Sequence, residues 1–300
     1  SSLAHNTIWT LLRDRSGQLW VGSDRGVSRH DPAQNAVLSL FSVPGRADRI
    51  SDIDIHSVAA MPDGRIWLGF GERGVDILAA DGGRVASLLS DNAHLETALP
   101  RNQVVSLEAH GNQDVFIGTA QGLYRSNVAA TFVKRMRVPG MGLDEQITSL
   151  LAEGEHMWLG TPNGLWRLHP RDWEQSRQVN LDLSDRRVMT MVHQPRPGHA
   201  GNLWLGTQNG LNRIDLGSGK VEKFMPEPDR AGGLSAGFIP NLLLDREGRL
   251  WVATFSGGLN VLLNPGEASG GRGGNSGGTA RFRRIGMFSS QQSAVVTPPA

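Results

Sequence analysis

Polar side chains recur at one place in a phrase that this chain repeats, just before a glycine. They are Arg25, Arg73, Gln121, Asn163, Gln208 and Asn209. Guanidinium and amide groups form several directional hydrogen bonds at once, which is the chemistry that holds a sugar or a carboxylate. Asn102 and Arg187, in segments that lead into two of the repeats, carry the same groups. These eight residues are the candidate ligand-binding set. A conformational explanation competes at each position, because turns favour such residues for their backbone preferences.

The residue types that carry catalysis do not form a pattern in this chain. Nine histidines are scattered, with no H-E-x-x-H spacing and no G-x-S-x-G, and cysteine is absent. His193 and His199 are close in sequence and are expected to be an exposed loop pair rather than metal ligands. The glycine-rich stretch 265–279 lacks the Lys-Ser/Thr of a phosphate-binding loop. No catalytic residue, metal site or cofactor is therefore predicted.

Bulk composition narrows the function classes further. Lys and Arg total 30 against 29 for Asp and Glu, so the formal charge of +1 gives no reason to expect a nucleic-acid partner. No apolar run reaches the roughly 18 residues of a membrane span, so no membrane contact is expected within this segment. The 300 residues include 38 glycines. Many glycines between short apolar runs are typical of a turn-rich all-β protein.

An aromatic residue marks each copy of the repeated phrase. These motif aromatics are Trp20, Trp67, Phe116, Trp158, Trp204 and Trp251, at intervals of 42 to 49 residues. A period in the forties is typical of propellers and of helical-repeat arrays. In the first unit, apolar runs at 8–14, 19–23, 27–31 and 37–43 are separated by turn residues. Four such runs predict a four-stranded antiparallel meander and exclude helical repeats.

Stacking such sheets buries both their faces, so the sequence predicts an all-β fold, a propeller of about six four-stranded blades. The predicted blades cover residues 1–50, 51–99, 100–143, 144–184, 185–233 and 234–288, with 265–279 as a flexible loop. Residues 289–300 are interpreted as a linker or as the start of a further unit. Six blades closing into a ring and a segment of a longer, seven-bladed or double-propeller array both fit this organisation.

The sequence predicts structural roles for the motif aromatic and for the residues two and nine positions after it. The second residue after it is Gly or Ala in every copy, which predicts close approach of the neighbouring blade. The aromatic itself is expected to fill the gap between blades. Arginines recur nine residues after it on the third strand, and cross-strand ion pairs are expected for them in preference to a ring facing an acidic ligand. They are Arg29, Arg125, Arg167 and Arg213.

Antiparallel connectivity predicts where a ligand would bind. In a meander of strands A to D, the B–C turn and the loop that leads into strand A lie at the same end of the blade. The candidate set should therefore share one face with further polar residues of the lead-in loops. These include His5, Asp54, His56, Gln103 and Glu145.

The phrase GNLWLGTQNGL (201–211) resembles the two-component regulator propeller repeat. GRLWVATFSGGL and GQLWVGSDRGV are similar to it, with the upstream frame V-x-x-L-x-x-D present as Ile239, Leu242, Asp245 and as Ile8, Leu11, Asp14. The resemblance covers nearly the whole chain. It implies an extracytoplasmic, periplasmic propeller that precedes a membrane helix and a histidine kinase or diguanylate cyclase, and that senses ligands such as oligosaccharides.

The leading functional hypothesis is therefore a sensor domain that binds a small polar ligand, such as a carbohydrate, or that mediates receptor homodimerisation. It is not expected to be an enzyme. Streptogramin lyases are similar in length and in their Trp-rich propellers, so a lyase is the first alternative, and such an enzyme should show a His and Glu pair at a metal. A protein-interaction scaffold is the second alternative.

Overall fold

The computed structural model describes residues 3–33, 36–43, 45–46, 48–89, 99, 103–262 and 281–285. The chain divides into two compact units, residues 1–180 and residues 181–300. Both units consist of four-stranded antiparallel sheets in which each strand pairs with the next along the chain. We call each sheet a blade and its strands A to D in chain order.

Unit 1 contains blades 1 to 4. Their strands are β1 (Ile8–Arg13), β2 (Leu19–Ser23), β3 (Gly26–Asp31) and β4 (Ala36–Leu40); β5 (Ile55–Ala60), β6 (Ile66–Phe70), β7 (Gly74–Leu78) and β8 (Arg84–Leu89); β9 (Val104–His110), β10 (Asp114–Thr119), β11 (Gly122–Asn127) and β12 (Val133–Arg135); and β13 (Ser149–Glu153), β14 (His156–Thr161), β15 (Gly164–Leu168) and β16 (Arg177–Val179). A short 3-10 helix, Trp173–Gln175, lies between β15 and β16.

Unit 2 contains blades 5 and 6. Their strands are β17 (Val188–Arg196), β18 (His199–Thr207), β19 (Gly210–Asp215) and β20 (Val221–Phe224); and β21 (Asn241–Leu244), β22 (Leu250–Thr254), β23 (Gly258–Leu262) and β24 (Phe282–Ile285). The fold class predicted from the repeat, an all-β propeller of four-stranded blades, is confirmed. In the part of the chain that the structure describes, no helix combines the length and the hydropathy that crossing a bilayer requires. The glycine-rich stretch 265–279 and residues 289–300 lie outside the described residues.

The insertion in blade 5 is a longer hairpin, not a loop. Strands β17 and β18 each run for nine residues and turn at Gly198, whose φ is +74°. His193 and His199 therefore lie on paired strands, which corrects the expectation of a loop pair. His193 Nε2 lies 3.1 Å from the carbonyl oxygen of Ala200.

Apolar clusters join consecutive blades within each unit. A motif aromatic shares its cluster with two residues of the following blade, one in strand A or just before it and one in strand B. The sets are Trp20 with Ile55 and Leu68, Trp67 with Val104 and Val115, Phe116 with Ile147 and Leu159, and Trp204 with Leu242 and Val252. Truncating one such fully buried aromatic typically costs about 3–5 kcal/mol of folding free energy.

The small residue after the motif aromatic makes this contact close, as predicted. A Cβ on Gly22 would lie 2.8 Å from Ile55 Cγ2 of the next blade, and one on Gly206 would lie 2.6 Å from Ile239 Cγ2. Carbon atoms of packed side chains do not approach so closely. A β-branched residue at or just before the start of strand A therefore occupies the space that the glycine leaves.

The aspartate of the repeat frame fixes both a turn and the motif tryptophan. Asp14 Oδ2 accepts the indole N–H of Trp20 at 2.8 Å, while its Oδ1 accepts the backbone N–H of Ser16 and Gln18. Asp245 does the same for Trp251, at 2.7 Å. Burial opposes the ionisation of Asp14, but the hydrogen bonds from Ser16, Trp20 and Gln18 outweigh it and lower its pKa.

The recurring arginines only partly follow the expected ion pairs. Arg125 pairs with Asp114 at 2.8 Å, and Arg213 pairs with Glu222. The guanidinium groups of Arg29, Arg167 and Arg213 also lie 5.5–5.6 Å from the ring centroid of the motif tryptophan across the strand pair. Their main shared contact is thus a cation–π interaction, which the ion-pair expectation missed.

Candidate functional site

The B–C turn and the lead-in loop lie at the same end of each blade in which a backbone hydrogen bond joins them. We call this the loop end. The bonds run from Asp24 N to Thr7 O, Gly71 N to Asp54 O, Ala120 N to Gln103 O, Gln208 N to Arg187 O and Phe255 N to Phe238 O, at 3.0–3.4 Å. The geometric expectation from the meander therefore agrees with the structure.

A second pairing holds the lead-in segment against strand C. Asp76, fully buried on β7, accepts the backbone N–H of Ser51 at 2.6 Å and its hydroxyl at 2.8 Å. Burial raises the pKa of Asp76, and the hydrogen bonds from Ser51 and the charge of Arg84 oppose that rise. In unit 2, the backbone N–H of Ser184 likewise donates to Asn212 Oδ1, and its hydroxyl accepts from Asn212 Nδ2. These pairs fix the segments from which the polar loop-end residues project.

The predicted ligand-binding residues of unit 1 are not brought together. Arg25, Arg73, Gln121 and Asn163 are all exposed on B–C turns of successive blades. Arg73 lines an open depression of about 470 Å³ that also includes Arg46 and Arg84. The Gln121 carbonyl accepts a hydrogen bond from Arg135, and Asn163 Nδ2 donates to Glu145 Oε1 at 2.8 Å. Each residue therefore has its own surroundings.

In unit 2 the structure brings two predicted residues together. Arg187 Nη1 donates to Gln208 Oε1 at 3.5 Å, a long contact between two exposed side chains. The neighbouring Asn209 packs against Gly237, where the absence of a side chain makes room for it. Asn102, the remaining candidate, lies outside the described residues.

A denser group of functional side chains lies at the loop end of blades 1 to 3. We call it the Trp9–His56 cluster; its members are His5, Trp9, Asp24, Asp54, His56 and Gln103. Half of the Trp9 side chain is exposed, and its ring stacks on His56 with centroids 4.9 Å apart and planes 24° apart. An exposed indole held flat by a second ring is a rigid surface on which a ligand can stack.

A β-bulge presents each of these two rings. Ile8 pairs with Ser23 and Thr10 with Gly22, so Trp9 has no partner across the sheet. In blade 2, Ile55 pairs with Phe70 and Ser57 with Gly69, so His56 is the extra residue. A bulge redirects a side chain away from the regular alternation of the strand, and here it directs both rings to the same place.

Polar groups surround the stacked rings. The indole N–H of Trp9 donates to Asp24 Oδ1, and His5 Nδ1 lies 3.7 Å from Asp24 Oδ2. His56 Nε2 lies 3.0 Å from Asp54 Oδ1, while its Nδ1 lies 2.9 Å from Gln103 Nε2. A neutral imidazole with its proton on Nε2 satisfies both contacts, since the amide of Gln103 then donates to Nδ1. The cluster thus combines an aromatic surface with carboxylate and imidazole groups.

Four polar members of the cluster, His5, Asp54, His56 and Gln103, belong to the lead-in residues predicted from the sequence, but Trp9 does not. Trp9 lies in the predicted first strand, residues 8–14, where apolar residues are expected. The available signal was its position eleven residues before a motif aromatic, where the next unit has His56. Recognising the bulge there requires the strand register.

Within the described residues, no three His, Asp or Glu side chains form a group able to hold a metal ion. The polar side chains at the loop ends of each unit and the Trp9–His56 cluster can both donate and accept hydrogen bonds. The arrangement is therefore one of recognition groups around an aromatic platform.

Comparison with known proteins gives a match to one repeat family in two stretches and a shared fold. A family model described as two-component regulator propeller matches residues 2–25 and 233–256, which are the stretches that contain Asp14 and Asp245. No curated protein matches the chain by sequence.

Among solved structures, the chain is similar to the extracellular domain of a protein assigned as a hybrid two-component system, BT3049 of B. thetaiotaomicron. The identity is 19%, the TM-score is 0.73, and 88% of this chain and 34% of that one are covered. The extracellular domain of BT4673, assigned as a one-component system of the same organism, matches at 18% identity and a TM-score of 0.61, with 87% and 39% coverage. The chain thus spans little more than a third of the length of these domains.

Virginiamycin B lyase from Staphylococcus aureus is also similar, at 12% identity and a TM-score of 0.65, with 95% of this chain and 87% of the lyase covered. At such identities, structural likeness shows the shared fold and not a shared activity. The match to the family model is more specific than these structural likenesses, because the matched stretches contain Asp14 and Asp245, which accept the indole N–H of the motif tryptophans. Residues 2–25 and 233–256 therefore match the two-component regulator propeller repeat.

Proposed function

We propose that this chain is part of the extracytoplasmic sensor propeller of a membrane signalling receptor, and that the Trp9–His56 cluster binds its polar ligand. The family repeats support the sensor role, and the two solved extracellular domains with this fold support the location. A histidine kinase or a diguanylate cyclase is the output that such a receptor would control.

The main support for the ligand site is the half-exposed ring of Trp9, which lies among the carboxylate and imidazole groups of the cluster. A sugar presents C–H groups on its ring faces and hydroxyl groups around its edge. The indole face suits the first, and the carboxylates of Asp24 and Asp54 accept hydrogen bonds from the second. An oligosaccharide is therefore the ligand class that the cluster fits best.

Calorimetric titration with oligosaccharides, after a thermal-shift screen of the whole chain, tests this proposal. We expect Trp9→Ala to weaken the binding of a hit about tenfold or more, because the loss of one well-placed aromatic contact exceeds about 1.4 kcal/mol. Phe255→Ala is the matched control, since Phe255 is an aromatic residue at the loop end of blade 6 that is 77% exposed.

An equal loss in both variants would show that exposed aromatics matter generally, and binding that survives Trp9→Ala would place the ligand elsewhere.

Sedimentation of the chain with and without the ligand tests the second role proposed for the sensor, homodimerisation. A ligand-linked shift in mass is expected if binding is coupled to receptor assembly.

A further inference from the structure

A cleft of about 380 Å³ is lined by strand A of blades 1, 2 and 3 and by their A–B turns, which lie at the opposite end of strand A from the lead-in loops. Leu12 of β1, residues 58–60 of β5 and residues 107–109 of β9 form its walls, with Arg15, Pro62 and Asn112 from the turns. Its volume falls within the range of small-molecule sites. Nothing in the proposed function uses this cleft.

Glu108 is the acidic residue in an otherwise apolar or small-residue wall. It lies opposite Phe116 across the strand pair. The residues in the same register, opposite the other motif aromatics, are Leu12, Ala59, Leu151, Val192 and Leu243. Five apolar residues show that the fold does not need a carboxylate at this position.

The carboxylate has one structural partner. Glu108 Oε1 accepts the backbone N–H of Ala152 on β13 at 3.0 Å. No other hydrogen bond or ion pair of Glu108 exists within the described part of the chain. A glutamine could accept the same bond, so that contact does not account for the charge.

We propose that this cleft binds a small organic ammonium ion, with the Glu108 carboxylate as its counter-ion. The apolar walls formed by Leu12, Val58 and Leu107 suit the hydrocarbon part of such a ligand. One carboxylate meets the charge of one ammonium group, whereas Ca²⁺ or Mg²⁺ would need several oxygen ligands.

Among the described residues, the other charged side chain in the cleft lining is Arg15. Arg15 donates Nη1 to the Pro62 carbonyl oxygen at 3.2 Å. Glu153 follows Ala152 on β13, the strand that donates to Glu108. Burial raises the pKa of Glu108 to about 7, against the hydrogen bond from Ala152. The carboxyl is therefore partly protonated near neutral pH and ionises fully when a cation binds.

NMR titration of the whole chain with n-butylammonium, and with n-butanol as its neutral match, tests the proposal. We expect Glu108→Gln to weaken n-butylammonium binding about tenfold or more, because a charge-assisted hydrogen bond is lost while the bond from Ala152 is kept. Glu72→Gln, which removes an exposed carboxylate from the B–C turn at the opposite end of blade 2, should not weaken it. In the wild type, n-butanol should bind at least about tenfold more weakly than the ammonium ion.

The pH dependence of n-butylammonium binding distinguishes a site that uses the Glu108 charge from an apolar groove that does not. Affinity for n-butylammonium should rise roughly tenfold or more between about pH 5.5 and pH 8 in the wild type and stay flat in Glu108→Gln. The melting temperature of Glu108→Gln at pH 8 should equal or exceed that of the wild type, which verifies folding. Equal binding by Glu108→Gln, no pH dependence, or no binding of n-butylammonium at millimolar concentration would each overturn the proposal.

Discussion

Blades 1 and 6 hold their motif tryptophan differently from blade 2. Trp20 and Trp251 donate their indole N–H to Asp14 and Asp245. The indole N–H of Trp67 is buried and has no hydrogen-bond partner among the described residues. Yet Trp67 has no exposed surface, whereas Trp251 is partly exposed.

Trp20 is fully buried as well, so blade 2 shows that complete burial can fix the ring without the hydrogen bond that blades 1 and 6 make. An unsatisfied buried N–H costs about 1–3 kcal/mol, but complete burial of an indole offsets that cost. In blade 2 the residue at the position of Asp14 is Met61, which is buried in the same cluster as Trp67. What the blades share is the position of the ring, and the hydrogen bond to the aspartate is one of the contacts that can fix it.

The largest expected effect comes from truncating the two tryptophans. Trp67→Ala should destabilise its unit by about 3–5 kcal/mol, because a fully buried ring leaves a cavity. Trp251→Ala should cost only about 1–2 kcal/mol, because part of that ring is already in water. Urea denaturation followed by circular dichroism measures both values. Equal losses would show that burial is not what separates the two blades.

A smaller effect is expected when the acceptor of blade 1 is changed. Asp14→Asn keeps an oxygen for the turn but replaces the oxygen that accepts the Trp20 indole N–H, so we expect a loss of about 1–2 kcal/mol at pH 7. The pKa of Asp14 is lowered in the folded state. Its contribution is therefore complete above the unfolded pKa of about 3.9 and is lost as the pH falls through the folded pKa.

Urea unfolding of the wild type and of Asp14→Asn at several pH values measures this contribution. The stability gap should close on acidification below about pH 4. Asp229→Asn, which changes an exposed carboxylate of unit 2, is the control and should show little effect at any pH. A gap that persists at low pH would mean that the charge of Asp14 is not involved.

The smallest effect is expected from giving blade 2 the acceptor that it lacks. Met61→Gln supplies a neutral oxygen for the Trp67 indole N–H but removes apolar burial, so stability should change by less than about 1.5 kcal/mol. The indole proton of Trp67 should move downfield in the NMR spectrum, and Met61→Leu should leave it in place. No shift in Met61→Gln would show that packing alone sets the ring position.

Much of the fold could be predicted because its signals are local and periodic. The motif aromatics, the glycine of each turn and the small residue at Gly22 or Gly206 repeat in register, so six copies support one another. The 3.0–3.4 Å bonds between turns and lead-in loops followed from antiparallel connectivity alone. The pattern V-x-x-L-x-x-D can also be read from the sequence, but the hydrogen bond between its aspartate and the motif tryptophan cannot.

The candidate sites depend on features that a sequence pattern does not carry. Trp9 and His56 meet because one residue in each strand is left out of the pairing, and a bulge is not visible without the register. The role proposed for Glu108 is not visible in the sequence, because an acidic residue within a strand is ordinarily solvated and its surroundings come from four different blades. Arg29 and Arg167 stack on rings across the sheet, which requires knowing the partner strand.

The contact between Gly22 and Ile55 has a consequence for how such a protein can evolve. The same fit recurs where Gly118 receives Ile147 and where Gly206 receives Ile239, so these blades present matching surfaces to their successors. A duplicated or deleted repeat would meet a compatible neighbour at its junctions. Copy number can then change by recombination between whole repeats, while the loop ends diverge separately in each copy.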